Sequence, residues 1–163
     1  MNVEAQKEHQ WLHRLVGEWS YETEAGEPGK PTEKCAGTET VRSLGGLWVV
    51  CEGHGEMPGG GTASMIMTLG FDPRKRRYVG TWVGSMMPWL WIYDGFLDTE
   101  KHALTLESEG PSFSAEGQPL DSKLAKYRDT IEFISDDHRM LISQVLGEEG
   151  VWEAFMRAHY RRR

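Results

Sequence analysis

The sequence predicts an all-β fold: an antiparallel up-and-down β-barrel of about ten strands with a short N-terminal helix. Most of its 163 residues fall into short segments that alternate apolar and polar side chains, as strands with one buried face do. Gly, Pro and Asp punctuate these segments at turn-length intervals. No second long helical pattern is present to make the crossovers of a parallel sheet, so neighbouring strands must pair and close into a barrel.

The first element is a helix over residues 3–16. Leu12, Leu15 and Val16 form a narrow apolar stripe beside Trp11 at helical spacing. Gly17 ends the helix, since glycine readily adopts the conformation that terminates one.

Ten strands follow, joined by turn residues such as Asp72-Pro73. The predicted strands span residues 18–24, 33–44, 47–57, 63–71, 77–86, 89–98, 102–109, 124–134, 139–146 and 151–161. Residues 110–123 lack alternation and are predicted to be the one longer loop. The chain is long enough for one core and too short for two ordinary ones, so residues 1–163 are expected to form a single domain.

The two cysteines, Cys35 and Cys51, are predicted to be free thiols. Gly45-Gly46 is typical of a two-residue hairpin turn, which would place Cys51 opposite Thr40 and Cys35 opposite Glu56. The cysteines would then lie about 17 Å apart along the ladder, beyond the reach of a disulfide. Free thiols are typical of a reducing compartment.

Charge and hydropathy exclude several classes of partner. The chain carries 25 acidic against 18 basic residues, a net charge of −7, which opposes binding to nucleic acid or to an anionic membrane. Its first residues contain no apolar signal region, and no apolar run approaches the length of a membrane span. We therefore expect a cytoplasmic protein whose partners are small molecules or proteins.

Trp19 and Arg162 suggest a family of folds. Gly17-Glu18-Trp19 directly after a short helix, with Arg161 and Arg162 on the last strand, resembles the signature of the calycin (lipocalin-like) superfamily. In that superfamily the tryptophan packs against the arginine and closes one end of the barrel. The guanidinium can stack on the indole face, and residue parity favours Arg162 for this role.

The chain also resembles, over nearly its whole length, the bacterial family of domain of unknown function 1579. This resemblance implies the barrel fold and no agreed activity. The matching segments are Leu15-Val16-Gly17-Glu18-Trp19, Gly70-Phe71-Asp72-Pro73, Tyr78-Val79-Gly80-Thr81-Trp82, Tyr93-Asp94-Gly95, Leu97-Asp98, Leu104-Thr105-Leu106-Glu107, Tyr127-Arg128-Asp129 and Tyr160-Arg161-Arg162.

The first polar candidate site is Glu52, His54 and Glu56, which share one face of a strand. A metal bound there would need further ligands from a neighbouring strand, and no metal is expected. The opposite parity is apolar, so the favoured interpretation is a solvent-facing row. In that case Gly53 and Gly55 point inward and leave either a cavity or room for large rings.

Aromatic side chains form the second candidate site. Trp91 and Tyr93 alternate on one strand beside Trp82 on the preceding strand, and such a wall suits a flat apolar ligand as well as a packed core. Tyr127 and Asp129 share the inward parity of a later strand. A buried carboxylate must be paired or have a raised pKa, so Asp129 is a candidate polar anchor, a general base or part of an internal hydrogen-bond network.

Four functions remain open from the sequence. The favoured one is a small-molecule binding barrel with Trp82, Trp91, Tyr93, Tyr127, Asp129 and His54 as candidate ligand-binding residues and no cofactor. An enzyme of the isomerase or cyclase type could use Asp129 as base and Tyr127 as donor. Haem binding would need His159, whose parity points outward. A filled barrel could act only in protein association.

A homodimer is predicted from the strand around residues 89–93. Leu90 and Ile92 are apolar on the parity opposite to the lumen, next to Met86 and Met87. Twofold self-association is the common way to bury such a patch. The alternative is that the N-terminal helix covers it.

Overall fold

The helix at the N-terminus is shorter than the sequence predicts. The computed structural model describes residues 1, 3–26 and 31–163. Helix α1 spans Lys7–Leu12 and continues as one 3-10 turn, His13–Leu15. Residues 3–6 are not helical, because Gln6 is extended and its amide donates to the His9 ring nitrogen Nδ1 at 2.9 Å, which caps the helix at this point. Within the described residues, no helix has the length and apolar character needed to cross a membrane.

Ten strands follow the helix, as predicted. They are β1 (Gly17–Ala25), β2 (Glu33–Leu44), β3 (Trp48–Glu56), β4 (Thr62–Asp72), β5 (Arg77–Gly84), β6 (Met87–Asp98), β7 (Ala103–Phe113), β8 (Pro119–Ser135), β9 (His138–Leu146) and β10 (Trp152–Arg162). Each strand pairs antiparallel with its neighbours in sequence, and β1 pairs with β10 to close the barrel. The predicted fold class is confirmed, and nearly all strand ends agree within two residues.

The predicted loop at residues 110–123 is wrong. β7 continues to Phe113 and β8 begins at Pro119, so only a tight turn separates them. The ladder shifts register between Pro111 and Ser112, and the bulge accommodates a residue that cannot donate a ladder hydrogen bond. Alternation fails as a signal here because the bulge interrupts the period of two.

The β2–β3 hairpin is one residue out of the predicted register. Leu44 pairs with Trp48, so Leu47 is an extra residue after Gly45-Gly46, and Cys51 faces Val41 rather than Thr40. The apolar faces decide this, because a one-residue slip would place buried Cys51 opposite exposed Thr40. Both cysteines are nevertheless free thiols, as predicted.

One end of the barrel is closed by the helix and by Trp19, which is fully buried. The Trp19 indole donates to the carbonyl of Leu15 at 2.7 Å, and the Arg162 guanidinium lies 4.2 Å from the indole ring. Arg162 also donates to the carbonyls of Val16 and Arg14 at 2.8 and 3.0 Å. The predicted pairing of Trp19 with Arg162 is therefore observed, and it joins the two ends of the chain.

The barrel wall is incompletely paired on one side. β6 pairs with β7 only from Asp94 to Asp98. In the part of the chain that the structure describes, residues 87–93 have no partner strand on β7. Instead, the Trp91 ring lies directly against Gly110 of β7, where a Cβ atom would clash with it. Where the hydrogen-bonded pairing of β6 with β7 ends, a side chain, that of Trp91, therefore makes the contact between the two strands.

Replacing Arg162 with alanine is expected to lower the free energy of unfolding by about 2–4 kcal/mol. It removes the stacking on Trp19 and charge-assisted hydrogen bonds to partly buried carbonyls. Urea unfolding followed by tryptophan fluorescence measures the change. Arg161→Ala is the matched control, because Arg161 is exposed, and its effect is expected to stay within about 0.5 kcal/mol. Equal effects of the two substitutions would contradict the role given to Arg162.

Candidate functional site

The barrel encloses a cavity of about 960 Å³. Helix α1, the 3-10 turn and Trp19 lie at the end of the barrel where β1 begins. The cavity opens at the other end, where β1 ends. Apolar side chains surround this opening, among them Met86, Phe113 and Phe155. Lys123 and Glu148 also lie there and form an exposed ion pair at 2.7 Å. The cavity is therefore closed at the helix end and open at the turn end.

Five of the six predicted site residues line this cavity: Trp82, Trp91, Tyr93, Tyr127 and Asp129. The rings of Trp91 and Tyr127 meet edge to face with centroids 5.0 Å apart. The Tyr127 hydroxyl donates to the carbonyl of Pro111 at 2.6 Å, which fixes the ring at the β7 bulge. The Trp91 indole nitrogen donates to the sulfur of Met87 at 3.2 Å. These contacts make the aromatic wall rigid.

Asp129 lies inside the barrel, held by two hydroxyl groups. The β8–β9 register places Ser143 directly opposite Asp129, and the Ser143 hydroxyl donates to Oδ1 at 2.5 Å. The Tyr93 hydroxyl, from β6, donates to Oδ2. Burial raises the pKa of the Asp129 carboxyl, and the two hydroxyl donors oppose that rise only in part. The same burial, together with the neighbouring carboxylate, raises the pKa of Tyr93 well above its ordinary value.

A second carboxylate in the cavity wall, Glu39, pairs with a buried arginine. Arg139 donates to Glu39 and is almost fully buried. Its guanidinium lies 4.6 Å from the Trp19 ring and 3.9 Å from the Tyr160 ring. Burial raises the pKa values of the Tyr160 hydroxyl and of the Cys51 thiol beside this pair, so both are uncharged at neutral pH.

The histidines considered as ligands lie outside the cavity. His54 is on the exposed face of β3, where its ring is 2.9 Å from the Ser64 hydroxyl. His159 is exposed on β10 and stacks against His138. Neither can reach a ligand held in the barrel. Among the residues that the structure describes, no three His, Cys, Asp or Glu side chains cluster in a way that could hold a metal ion.

Gly53 and Gly55 point inward, but the expected open space beside them is filled. A Cβ atom on Gly55 would lie 2.3 Å from the Tyr21 hydroxyl, and one on Gly53 would lie 3.0 Å from Met65. The Tyr21 ring also covers Gly37. The glycines therefore make room for a large ring, the second of the two outcomes that the sequence allowed, and Tyr21 and Met65 themselves form part of the cavity wall.

Among the polar residues of the cavity wall that the sequence did not single out, three are buried or nearly so: Glu39, Arg139 and Ser143. A signal existed for two of them. Arg139 and Ser143 share the parity of Leu141 and Val145 on β9, so two polar residues sit on an otherwise apolar inward face. No such signal existed for Glu39. The hairpin register predicted from the sequence is one residue off, and it would place the Glu39 side chain on the outward face of β2.

The pH dependence of stability is expected to report the buried carboxyl. Because the folded protein holds the Asp129 proton more tightly than the unfolded chain does, the folded state loses stability as pH rises from the ordinary aspartate pKa through the raised value. In Asp129→Asn, which keeps hydrogen-bonding capacity for both hydroxyls, this loss disappears. Urea unfolding of both proteins between pH 4 and pH 8 tests it. A stability difference that does not change over that range would contradict a raised pKa.

Comparison with known proteins places the chain in a family and shows its fold in two solved structures. The crystal structure of Rv2717c from M. tuberculosis superimposes with a TM-score of 0.65 at 13% identity, over 98% of this chain and 99% of that one. The S-type phycobiliprotein lyase CPES from Guillardia theta gives 0.57 at 13% identity, over 94% and 91% of the two chains. No curated protein matches the sequence. Residues 4–162 match the family described as "Protein of unknown function (DUF1579)", and the chain belongs to that family.

Proposed function

We propose that this protein binds a small, largely apolar molecule inside its barrel. The observation that carries the proposal is the cavity of about 960 Å³, open at one end and walled by Trp82, Trp91 and Tyr127. Ligand pockets commonly have volumes of about 300–1,000 Å³, with apolar walls and a few placed polar groups. Asp129 supplies such a polar group. A filled barrel would have left no space of this size.

The fold of a neighbouring structure is compatible with this role. The phycobiliprotein lyase is, by its name, a protein that acts on phycobiliproteins. At 13% identity the likeness concerns the barrel alone, so support for binding comes from the cavity of this chain.

The acid–base alternative has less support. It pairs Asp129 as base with Tyr127 as donor, but the Tyr127 hydroxyl donates to the carbonyl of Pro111 instead. Asp129 is held by Tyr93 and Ser143. A carboxyl restrained by two hydroxyl groups is better suited to anchoring a ligand than to moving between proton donors.

A neutral fluorescent probe tests the binding function. N-phenyl-1-naphthylamine is expected to bind one per chain with a Kd of about 200 μM or tighter, from about −0.3 kcal/mol per non-hydrogen atom. Val145→Trp is expected to weaken binding at least tenfold, because Val145 lines the cavity and a larger ring would fill it. Fluorescence titration measures both.

The control for this test is Gln144→Trp. Gln144 is the next residue on β9 and accepts from Arg128, outside the cavity. The control should bind the probe like the unsubstituted protein. Equal binding by all three proteins would show that the probe does not enter the barrel, and no binding to the unsubstituted protein would contradict the function.

We also propose that two copies associate through the outer face of β6. Leu90 and Ile92 are 57% and 65% exposed, and Ile66 and Val83 on the neighbouring strands extend the apolar surface. Helix α1 lies at the closed end, so it does not cover them. The unpaired edge at residues 87–93 can align antiparallel with its own copy, as a twofold axis requires.

Sedimentation at micromolar concentration is expected to give twice the chain mass of 18.5 kDa. Ile92→Lys should produce the monomer, since it places a charge in the interface. Ile134→Lys, at an exposed isoleucine on β8, is the control and should remain dimeric. A monomer mass for the unsubstituted protein, unchanged by dilution, would contradict the dimer.

A further inference from the structure

Two carboxylates of the cavity wall that lie inside the barrel, Glu39 and Asp129, differ in their partners, whereas Glu56 and Glu148 of the same wall are exposed. Glu39 has a cationic partner in Arg139, which binds it and is buried with it. Asp129 receives hydrogen bonds from two neutral hydroxyls, and in the described part of the chain it forms no ion pair with a basic side chain. Burying an unpaired charge is costly, so an ionised Asp129 lacks a compensating cation.

Within the described residues, the charged groups near Asp129 do not compensate its negative charge. The titratable groups close to Tyr93, the partner of Asp129, are Tyr160 and Cys51, and burial keeps Tyr93, Tyr160 and Cys51 neutral by raising their pKa values. Lys123 and Lys126 also belong to the cavity wall, but both residues are exposed. Glu39 and Arg139 cancel one another. No histidine lines the cavity in the described residues. The deep part of the cavity therefore carries one uncompensated negative charge whenever Asp129 is ionised.

The Asp129 side chain is also accessible to a ligand. It is surrounded by protein, yet the residue keeps some accessible surface and forms part of the cavity wall. Ser143 and Tyr93 use one acceptor position on each oxygen. A carboxylate offers about four such positions, so acceptor capacity remains for a ligand.

Aromatic rings lie next to this carboxylate. Tyr127 is two residues before Asp129 on the same face of β8, about 7 Å away along the strand. Its ring contacts Trp91, which lies two residues from Tyr93 on β6. Aromatic faces attract cations as well as apolar groups, most strongly where water is excluded. An anion would meet repulsion here, and a neutral molecule would leave the carboxylate unpaired.

We propose that the cavity selects ligands that carry a cationic amine on an aromatic or alkyl body, with the ammonium group at Asp129 and the body against Trp91 and Tyr127. This inference rests on the proposed binding function and deepens it by naming the class of ligand. The amine supplies the counter-ion that Glu39 already has in Arg139.

Three probes with one ring system test the selection: 1-naphthylmethylamine, 1-naphthalenemethanol and 1-naphthoate, which are cationic, neutral and anionic at pH 7. Each displaces N-phenyl-1-naphthylamine in a competition titration. The amine is expected to bind at least tenfold more tightly than the alcohol, and the carboxylate more weakly than both. In Asp129→Asn the amine and alcohol should differ by less than about twofold. Ser143→Ala keeps the carboxylate and should keep the preference for the amine.

The amine should also bind more tightly as pH rises through the raised pKa of Asp129, because ionising Asp129 favours the cation, whereas Asp129→Asn should show no such rise. Equal binding of amine and alcohol by the unsubstituted protein would overturn the inference while leaving the binding function intact. If neither the reporter probe nor any competitor binds, both proposals fail. A preference for the amine that survives in Asp129→Asn would overturn the role given to this residue.

Discussion

The packing of Trp19 between two arginines is the interaction on which the rest of the structure depends. Arg162 lies on one side at 4.2 Å and Arg139 lies within 4.6 Å of the same ring. The contact joins the first strand to the ninth and tenth, so it secures the seam where the barrel closes. Each guanidinium is stabilised by different partners: Arg162 by backbone carbonyls and Arg139 by Glu39. Both guanidinium groups thus contact one buried indole.

This arrangement determines which end of the barrel is closed. Trp19, Leu15 and the 3-10 turn fill the helix end, while the described residues at the opposite end include turns between strands and no helix. A barrel of ten strands is wide enough that its side chains need not meet in the middle, so sealing one end leaves a cavity rather than a channel. Glu39 and Arg139 neutralise one another in the wall of this cavity. Asp129 is the carboxylate inside the barrel without a basic partner among the described residues, and it is the one to which the proposed ligand would bind.

The incomplete pairing of β6 with β7 is a second feature that shapes the cavity. β6 pairs with β7 only from Asp94 to Asp98, and the β7–β8 ladder next to the unpaired residues is bulged after Pro111. The Trp91 ring lies against Gly110 where the pairing ends, and Trp91 and Tyr127 form part of the cavity wall. On the outer face of the same strand, Leu90 and Ile92 remain exposed. The cavity wall and the proposed dimer surface are therefore opposite faces of one incompletely paired strand.

The sequence by itself determined the strand number, the antiparallel order, the Trp19–Arg162 pairing and the inward side of Trp91, Tyr93 and Asp129. The strands and the inward sides follow from local periodicity, since alternation with a period of two records which face each side chain takes, whereas the Trp19–Arg162 pairing was implied by the resemblance to the calycins. Only the tertiary structure decided how strands align with one another. The observed β2–β3 register differs by one residue from the predicted one, so the inward orientation of Glu39 could not be predicted. The bulge at Pro111 interrupts the alternation, so the end of β7 and the start of β8 could not be predicted either. The partners of Asp129 come from strands distant in sequence, and whether rings fill a lumen or leave it open depends on all ten strands at once. Periodicity within one strand carries no information about either.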